Sequence, residues 1–207
     1  MEWYRVGYDH HALMNDMDLF LYRILGCEKP DRMTYRDVFL KYLDLNLVTL
    51  TPLECIACAL HYDIHPVGLS LEDLNPWLDL LMSHLIEPKI GKMRPLYIYD
   101  YPQSQAALAK VRQEEPYPVA ERFEVYSQGI ELANGFHELT DPKEQRARFL
   151  DDLKMRAAQG LPCYPLDEAF LESLQNLPPS AGVALGIDRL VMLALKKQHI
   201  SEVLSFS

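Results

Sequence analysis

The chain has 207 residues, 49% hydrophobic and 24% charged, so it is long enough to bury the core of one large domain or two small ones. Its net charge of −10 argues against a general nucleic-acid binder, which needs clustered Lys and Arg, because Asp and Glu outnumber them here by 30 to 20. No stretch approaches the roughly 20 apolar residues of a membrane span, and a signal-peptide pattern is missing, which predicts a cytoplasmic protein that does not enter a membrane.

Helix-forming patterns dominate the first part of the chain. Asp9 is a predicted N-cap for a helix over the run DHHALMNDMDLFLYRIL, where apolar residues recur at three- to four-residue spacing. Residues 34–43 repeat this pattern, and Thr51 is a predicted cap for the next helix. In the run SLEDLNPWLDLLMSHLI, Pro76 indicates either a kinked helix or a helix that starts nearer Asn75. We interpret these apolar stripes as core.

The cysteines and histidines of this region do not predict a metal or redox site. Cys55 and Cys58 form a C-x-x-C pair, but the pair lies in a predicted helix and no second pair completes a zinc site. His61 and His65 follow nearby without a carboxylate or cysteine set at ligand spacing. The chain is long and its predicted compartment is the cytoplasm, so its four cysteines do not predict a disulfide framework.

From Pro95 onward the pattern changes to that of a β-sheet. Strands are predicted over PLYIYDYP, over residues 119–126 and over residues 130–137. The pair Asp141-Pro142 then begins a charged helix that continues to residue 158, and a short helix follows over 166–174. The second half of the chain therefore supplies the sheet.

Three glutamates, Glu124, Glu131 and Glu138, recur at intervals of seven residues within the segment RFEVYSQGIELANGFHELTD. Gln128-Gly129 is a plausible two-residue hairpin turn, which would pair Glu131 with Tyr126. Glu131 would then lie diagonally from Glu124 on the same polar face, whereas a three-residue loop would place the two on opposite faces. Two carboxylates that converge in this way predict a bound cation or a cationic ligand.

Glu138 has the wrong parity for that face, and two interpretations of the intervening Asn134-Gly135 remain open. A glycine-containing bulge there would insert one residue and turn Glu138 onto the polar face, and such bulges are common beside active sites. Alternatively, Asn134-Gly135 is itself a type I′ hairpin turn and the glutamates are merely solvated. Pattern alone does not separate the two.

A second informative segment is AGVALGIDRLVMLAL. Gly182, Ala184 and Gly186 form a ridge of small residues that would let a flat ligand lie against the backbone, and Arg189 in the following helix could reach a phosphate. The segment lacks the G-x-G-x-x-G of a dinucleotide-binding fold. Taken alone, it indicates close packing of a strand against a helix.

The two segments together resemble the catalytic core of class II aminoacyl-tRNA synthetases of the lysine subclass, and most closely the synthetase-like elongation factor P lysine ligases. RFEVYSQGIELANGFHELTD is similar to the hairpin before motif 3, GVALGIDRLVML to motif 3, and the opening MEWYR to the end of motif 2. PQSQAALA also fits the ligase branch. The resemblance implies an α+β fold, with an antiparallel sheet flanked by helices, in which residues 1–207 form one partial catalytic domain with a helical insert at about 45–90.

The resemblance also implies roles for individual residues. Glu124 and Glu131 correspond to carboxylates that bind Mg²⁺ and ATP, and Arg189 to the motif 3 arginine that binds the γ-phosphate and helps the pyrophosphate leave. The remaining implied positions form the amino-acid pocket, in which buried carboxylates hold the lysine ε-ammonium group. These are Glu2, Tyr4 and Glu138 for the ammonium group, Asn134 and Phe136 for the pocket, and Ala184, which replaces a glycine of lysyl-tRNA synthetases and goes with a preference for β-lysine.

The activity that the resemblance implies is ATP-dependent formation of a lysyl or β-lysyl adenylate, followed by transfer to a lysine of elongation factor P rather than to tRNA. A homodimer is expected for the complete protein. Two alternatives remain open at this stage: a lysyl-tRNA synthetase, and a non-catalytic paralogue that binds lysine or an adenylate as a regulator. Because Met1–Tyr4 align with the interior of motif 2, we expect this chain to lack motif 1 and the motif 2 arginine, and to be weak or inactive alone.

Overall fold

A computed structural model describes residues 1–206 and shows an α+β architecture, in which one sheet carries helices on both faces. Its strands are β1 (Glu2–Val6), β2 (Asp31–Thr34), β3 (Leu96–Pro102), β4 (Val111–Arg112), β5 (Val119–Ser127), β6 (Ile130–His137) and β7 (Ser180–Leu185). Its α-helices are α1 (His10–Leu25), α2 (Tyr35–Leu43), α3 (Pro52–His61), α4 (Asn75–Leu81), α5 (Pro142–Ala158), α6 (Glu168–Ser173) and α7 (Ile187–Ala194). Among the described residues, no helix is both long and apolar enough to span a bilayer.

The sheet has the strand order β1-β7-β6-β5-β3-β2, and the short β4 also pairs with β5. The predicted α+β fold is confirmed, and all strand pairs are antiparallel except β2 with β3. The purely antiparallel sheet expected from the sequence therefore needs this one correction. Parallel neighbours require a crossover connection, and here the helical residues 35–95 provide it.

Side-chain caps fix most of the predicted helix starts. The Asp9 carboxylate accepts from the backbone N–H of Ala12 at 2.7 Å, and Thr51 forms a reciprocal capping box with Glu54. Helix α4 begins at Asn75, which decides between the two starts considered for the segment around Pro76. After α4 the chain continues as a π-helical turn over Met82–Ile86.

The β5–β6 hairpin turns through Gln128 and Gly129, whose φ angles of 55° and 79° are those of a type I′ turn. Glu131 pairs with Tyr126, as predicted. The bulge, however, is not at Asn134-Gly135: that prediction was wrong, and so was its alternative of a hairpin turn there.

Both residues lie inside β6, where Asn134 pairs with Glu124. The register shifts between Val125 and Tyr126, because β6 contains one extra residue at Leu132. Leu132 and the adjacent Ala133 are both buried in the core under α1, although consecutive strand residues normally point to opposite faces. Burial of two consecutive apolar side chains on one face therefore accounts for the position of the bulge.

A close approach in the same core generates a stability prediction. A methyl group on Gly135 would lie 2.5 Å from Cε1 of Phe123, whose ring is fully buried. We expect Gly135→Ala to destabilise the fold by about 1–3 kcal/mol, as overpacked cores do. The melting temperature should fall by about 2–4 °C per kcal/mol.

The matched test is the double variant Gly135→Ala/Phe123→Leu, which removes the ring atoms that the new methyl group meets. In thermal unfolding followed by circular dichroism, the cost of Gly135→Ala should be smaller when Phe123→Leu is already present. Equal costs in both backgrounds would contradict the assignment of the close contact.

Candidate active site

Directly paired residues on β1, β7, β6 and β5 form two rows across one face of the sheet. Neighbouring strands lie about 4.8 Å apart, so each row extends over about 14 Å. Residues that pair directly also share a face, so the side chains of each row point the same way. The first row is Glu2, Ala184, Asn134 and Glu124, and the second is Tyr4, Gly182, Phe136 and Arg122.

These rows place the predicted site residues on a common surface. The bulge at Leu132 turns Asn134, Phe136 and the following Glu138 onto the face that carries Glu131. Two cavities that share Glu131 lie on part of this face, one of about 740 Å³ and one of about 570 Å³. The larger is lined by Arg122, Glu124, Tyr126 and Glu131 among others, and the smaller by Glu2, Glu131, Asn134, Ala184, Gly186 and Arg189.

The β1 end of the surface carries uncompensated negative charge. Burial, followed by the charge of Glu2, raises the pKa of Glu138 to about 7. The Tyr4 hydroxyl donates to Glu2, and this hydrogen bond is the main reason why the pKa of Tyr4 is raised to about 12. Neither Glu2 nor Glu138 forms a salt bridge with any described residue.

Gly182 forms the floor between these polar groups. A methyl group at this position would lie 2.6 Å from Cδ1 of Tyr4 and would also overlap the Glu138 carboxylate. Any larger residue would therefore displace both side chains. Two acidic groups over a glycine floor form a site whose charge suits an ammonium group.

Glu124, by contrast, is held by several donors. It is 9% exposed and accepts from the hydroxyl groups of Tyr101 and Tyr126 and from the guanidinium group of Arg122. Burial, followed by the neighbouring Glu124 charge, raises the pKa values of both tyrosines, so both remain donors at neutral pH. The orientation of the Glu124 carboxylate is thus fixed before any ligand binds.

Glu131 and Arg189 meet at the boundary of the two cavities. The N–H of Gly186 donates to the Leu132 carbonyl at 2.9 Å, which places the start of α7 over the bulge. From the first turn of α7, Arg189 donates to the backbone carbonyl of Glu131 at 2.7 Å and lies 3.4 Å from its carboxylate. Both side chains are accessible, with exposures of 47% for Arg189 and 38% for Glu131, so a ligand could contact either.

The sequence did not reveal a third carboxylate near Glu124 and Glu131. Glu87, in the turn after the π-helical segment, lies 3.4 Å from the Tyr126 hydroxyl through Oε1. Burial, then repulsion from Glu124 and Glu131, raises the pKa of Glu87. Glu87 reaches the site through the tertiary fold of the helical crossover, and its local sequence shows no signal for this.

This chain is similar in sequence to known proteins. A family model described as tRNA synthetases class II (D, K and N) matches residues 11–207. The chain is also similar to the elongation factor P–(R)-β-lysine ligase of Edwardsiella ictaluri, with 47% identity over 208 aligned residues. The alignment covers 100% of this chain and 64% of the relative, so the chain spans just under two thirds of the relative's length.

The raised pKa of Glu138 predicts how stability depends on pH. The folded protein binds this proton more tightly than the unfolded chain, where the carboxyl group titrates near its ordinary value of 4.5. Stability should therefore fall as pH rises from about 4.5 to about 7, and Glu138→Gln should remove that loss. Because the group is partly in contact with water, we expect a gain of about 1 kcal/mol at pH 8, or about 2–4 °C in melting temperature.

The measurement is a pair of calorimetric melts of each protein, at pH 4.5 and at pH 8. The gain from Glu138→Gln should be clearly smaller at pH 4.5, where the carboxyl group is protonated in the folded protein. Glu172→Gln, at an exposed position of α6, is the matched control. Its effect on the melting temperature should be equal at the two pH values. An equal gain at both pH values would rule out Glu138 ionisation as the cause.

Proposed function

The chain belongs to the family of class II tRNA synthetases (D, K and N), and from this membership we propose that its protein activates lysine or β-lysine with ATP and transfers it to a lysine of elongation factor P. The acceptor is proposed from the similarity to a ligase named for elongation factor P. The roles proposed below for single residues rest on their positions in the sheet and on their charges.

The observation that carries this proposal is the acidic pocket of Glu2, Tyr4 and Glu138. Burial, followed by the charge of Glu2, destabilises the ionised form of Glu138 and raises its pKa. A bound ammonium group would offset both effects and gain charge-assisted hydrogen bonds. We therefore assign the side-chain amine of the substrate to this pocket, with Asn134, Phe136 and Ala184 beside it along the rows.

The opposite end of the surface suits Mg²⁺ and ATP. Glu124, Glu131 and Glu87 offer carboxylate oxygens, the ligand type that this hard cation prefers. When bound, Mg²⁺ would neutralise phosphate charge that these carboxylates would otherwise repel. We propose that Glu124 and Glu131 hold the ion and that Arg189 binds the terminal phosphate and the departing pyrophosphate.

The proposed reaction asks for positioning rather than covalent catalysis. A carboxylate oxygen of the amino acid attacks the α-phosphorus of ATP, a new P–O bond forms, and the bond to pyrophosphate breaks. The β1 end would hold the ammonium group of the amino acid, and Glu124 at the β5 end would hold ATP through Mg²⁺. The two reactants would then be oriented along the same rows of side chains. Arg189 stabilises charge that develops on the leaving group.

The test uses ATP–pyrophosphate exchange by the full-length protein with β-lysine, lysine and norleucine, which lacks the side-chain amine. We expect exchange with β-lysine or lysine, and at least about 100-fold lower kcat/KM with norleucine, because norleucine leaves the acidic pocket unpaired. Glu131→Gln should lower the rate about 100-fold. Glu172→Gln is the control and should match the unaltered protein.

Transfer is measured separately, as the mass of one lysyl or β-lysyl group added to elongation factor P. Exchange together with charging of tRNA instead would favour the lysyl-tRNA synthetase alternative. Binding of lysine or ATP without exchange would favour the regulatory paralogue and overturn the proposed activity.

Ala184 generates the prediction about substrate choice. Its exposed methyl group lies between Glu2 and Asn134 in the first row, on the floor of the smaller cavity. We propose that this methyl group favours β-lysine, whose carboxylate and amine are spaced differently from those of lysine. Ala184→Gly should shift the ratio of kcat/KM values toward lysine by about 10-fold or more, the range for one methyl group. An unchanged ratio in exchange assays would show that Ala184 does not select the substrate.

A further inference from the structure

Arg122 occupies the last position of the second row and connects several parts of the site. Its guanidinium group stacks over the ring of Tyr101 at 4.4 Å, and only 17% of its side chain is exposed. Nε donates to the side-chain oxygen of Asn134 at 3.3 Å, and one terminal nitrogen donates to the Gln105 carbonyl at 2.8 Å. The other terminal nitrogen donates to Glu124 at 2.5 Å.

These contacts determine how two of the proposed ligand-binding side chains are presented. The bond to Glu124 Oε1 fixes one carboxylate oxygen, and the tyrosine hydroxyl groups fix the other. The bond to Asn134 requires that the amide oxygen face Arg122. The amide NH2 group is then left to donate to an acceptor in the smaller cavity, which Asn134 also lines.

We propose that Arg122 is a positioning residue that orients Glu124 toward the metal and Asn134 toward the amino acid at the same time. The inference rests on the proposed function, because it concerns the same site. A planar guanidinium group with five donors can serve the three acceptors at once, and a lysine in its place cannot. The role therefore belongs to arginine specifically.

The test compares Arg122→Lys with the unaltered full-length protein in ATP–pyrophosphate exchange. We expect KM for the amino acid to rise about 10-fold and the half-saturating Mg²⁺ concentration to rise as well, because Asn134 and Glu124 both lose their orientation. These two shifts report on the ligands of Asn134 and Glu124 separately. A purely structural role would lower the melting temperature without moving either value.

Arg148→Lys is the matched control. Like Arg122, Arg148 donates to three acceptors, which are the backbone carbonyls of Ala107 and Ala109 and the carboxylate of Glu144. Its side chain is similarly buried, with 20% exposure. It contacts none of the residues assigned to ligands. Arg148→Lys should cost stability but leave both KM and the Mg²⁺ dependence unchanged.

Two results would overturn the inference in an active protein: unchanged KM and Mg²⁺ dependence in Arg122→Lys, or equal shifts in Arg148→Lys. If Arg122→Lys did not fold, the same assay would be made with Gln105→Ala. The Gln105 side chain donates to Asp79 at 2.9 Å, and this bond holds in place the Gln105 backbone carbonyl to which Arg122 donates. That variant should raise KM about two- to threefold. No exchange by the unaltered protein would instead refute the proposed function, and the inference with it.

Discussion

The extra residue in β6 at Leu132 sets the face on which every later side chain of that strand lies. Without it, strict alternation would place Glu131 and Asn134 on opposite faces of the sheet, and Glu138 would point into the core under α1. With it, Leu132 and Ala133 both enter that core, and the polar residues on either side share the opposite face. The burial of two apolar side chains thus determines which polar residues can act on one ligand.

The surface that results has two different electrostatic designs. At the β5 end, Glu124 is surrounded by donors from Arg122, Tyr101 and Tyr126, so its charge is satisfied and its position is fixed. At the β1 end, burial raises the pKa of Glu138, and the charge of Glu2 raises it further. The fixed carboxylate of Glu124 can coordinate a metal ion in one orientation. Glu2 and Glu138, which have no salt-bridge partner within residues 1–206, instead favour a ligand that carries a positive charge.

Sequence reasoning succeeded where the signal is local. The caps at Asp9 and Thr51 and the turn at Gln128-Gly129 each follow from the chemistry of a few neighbouring residues, and the turn correctly predicted the partner of Glu131. The position of the bulge was missed, because the Asn-Gly pair gave a stronger turn signal than the two consecutive apolar residues before it. The position of Glu87 in the site and the contacts of Arg122 were missed because they depend on contacts between residues that are distant in sequence.

The parallel pair of β2 and β3 explains why such distant residues reach the site. Two neighbouring parallel strands must be joined by a crossover, and a crossover of several helices has to pack against a face of the sheet. Here it packs on the face that carries Glu124, which brings Glu87 and Asp79 to the larger cavity. The Gln105 side chain donates to Asp79 of α4, and the Gln105 backbone carbonyl accepts from Arg122 of β5, so Gln105 links the crossover to the strand that carries Glu124. The crossover is therefore one wall of the site as well as a connection between strands.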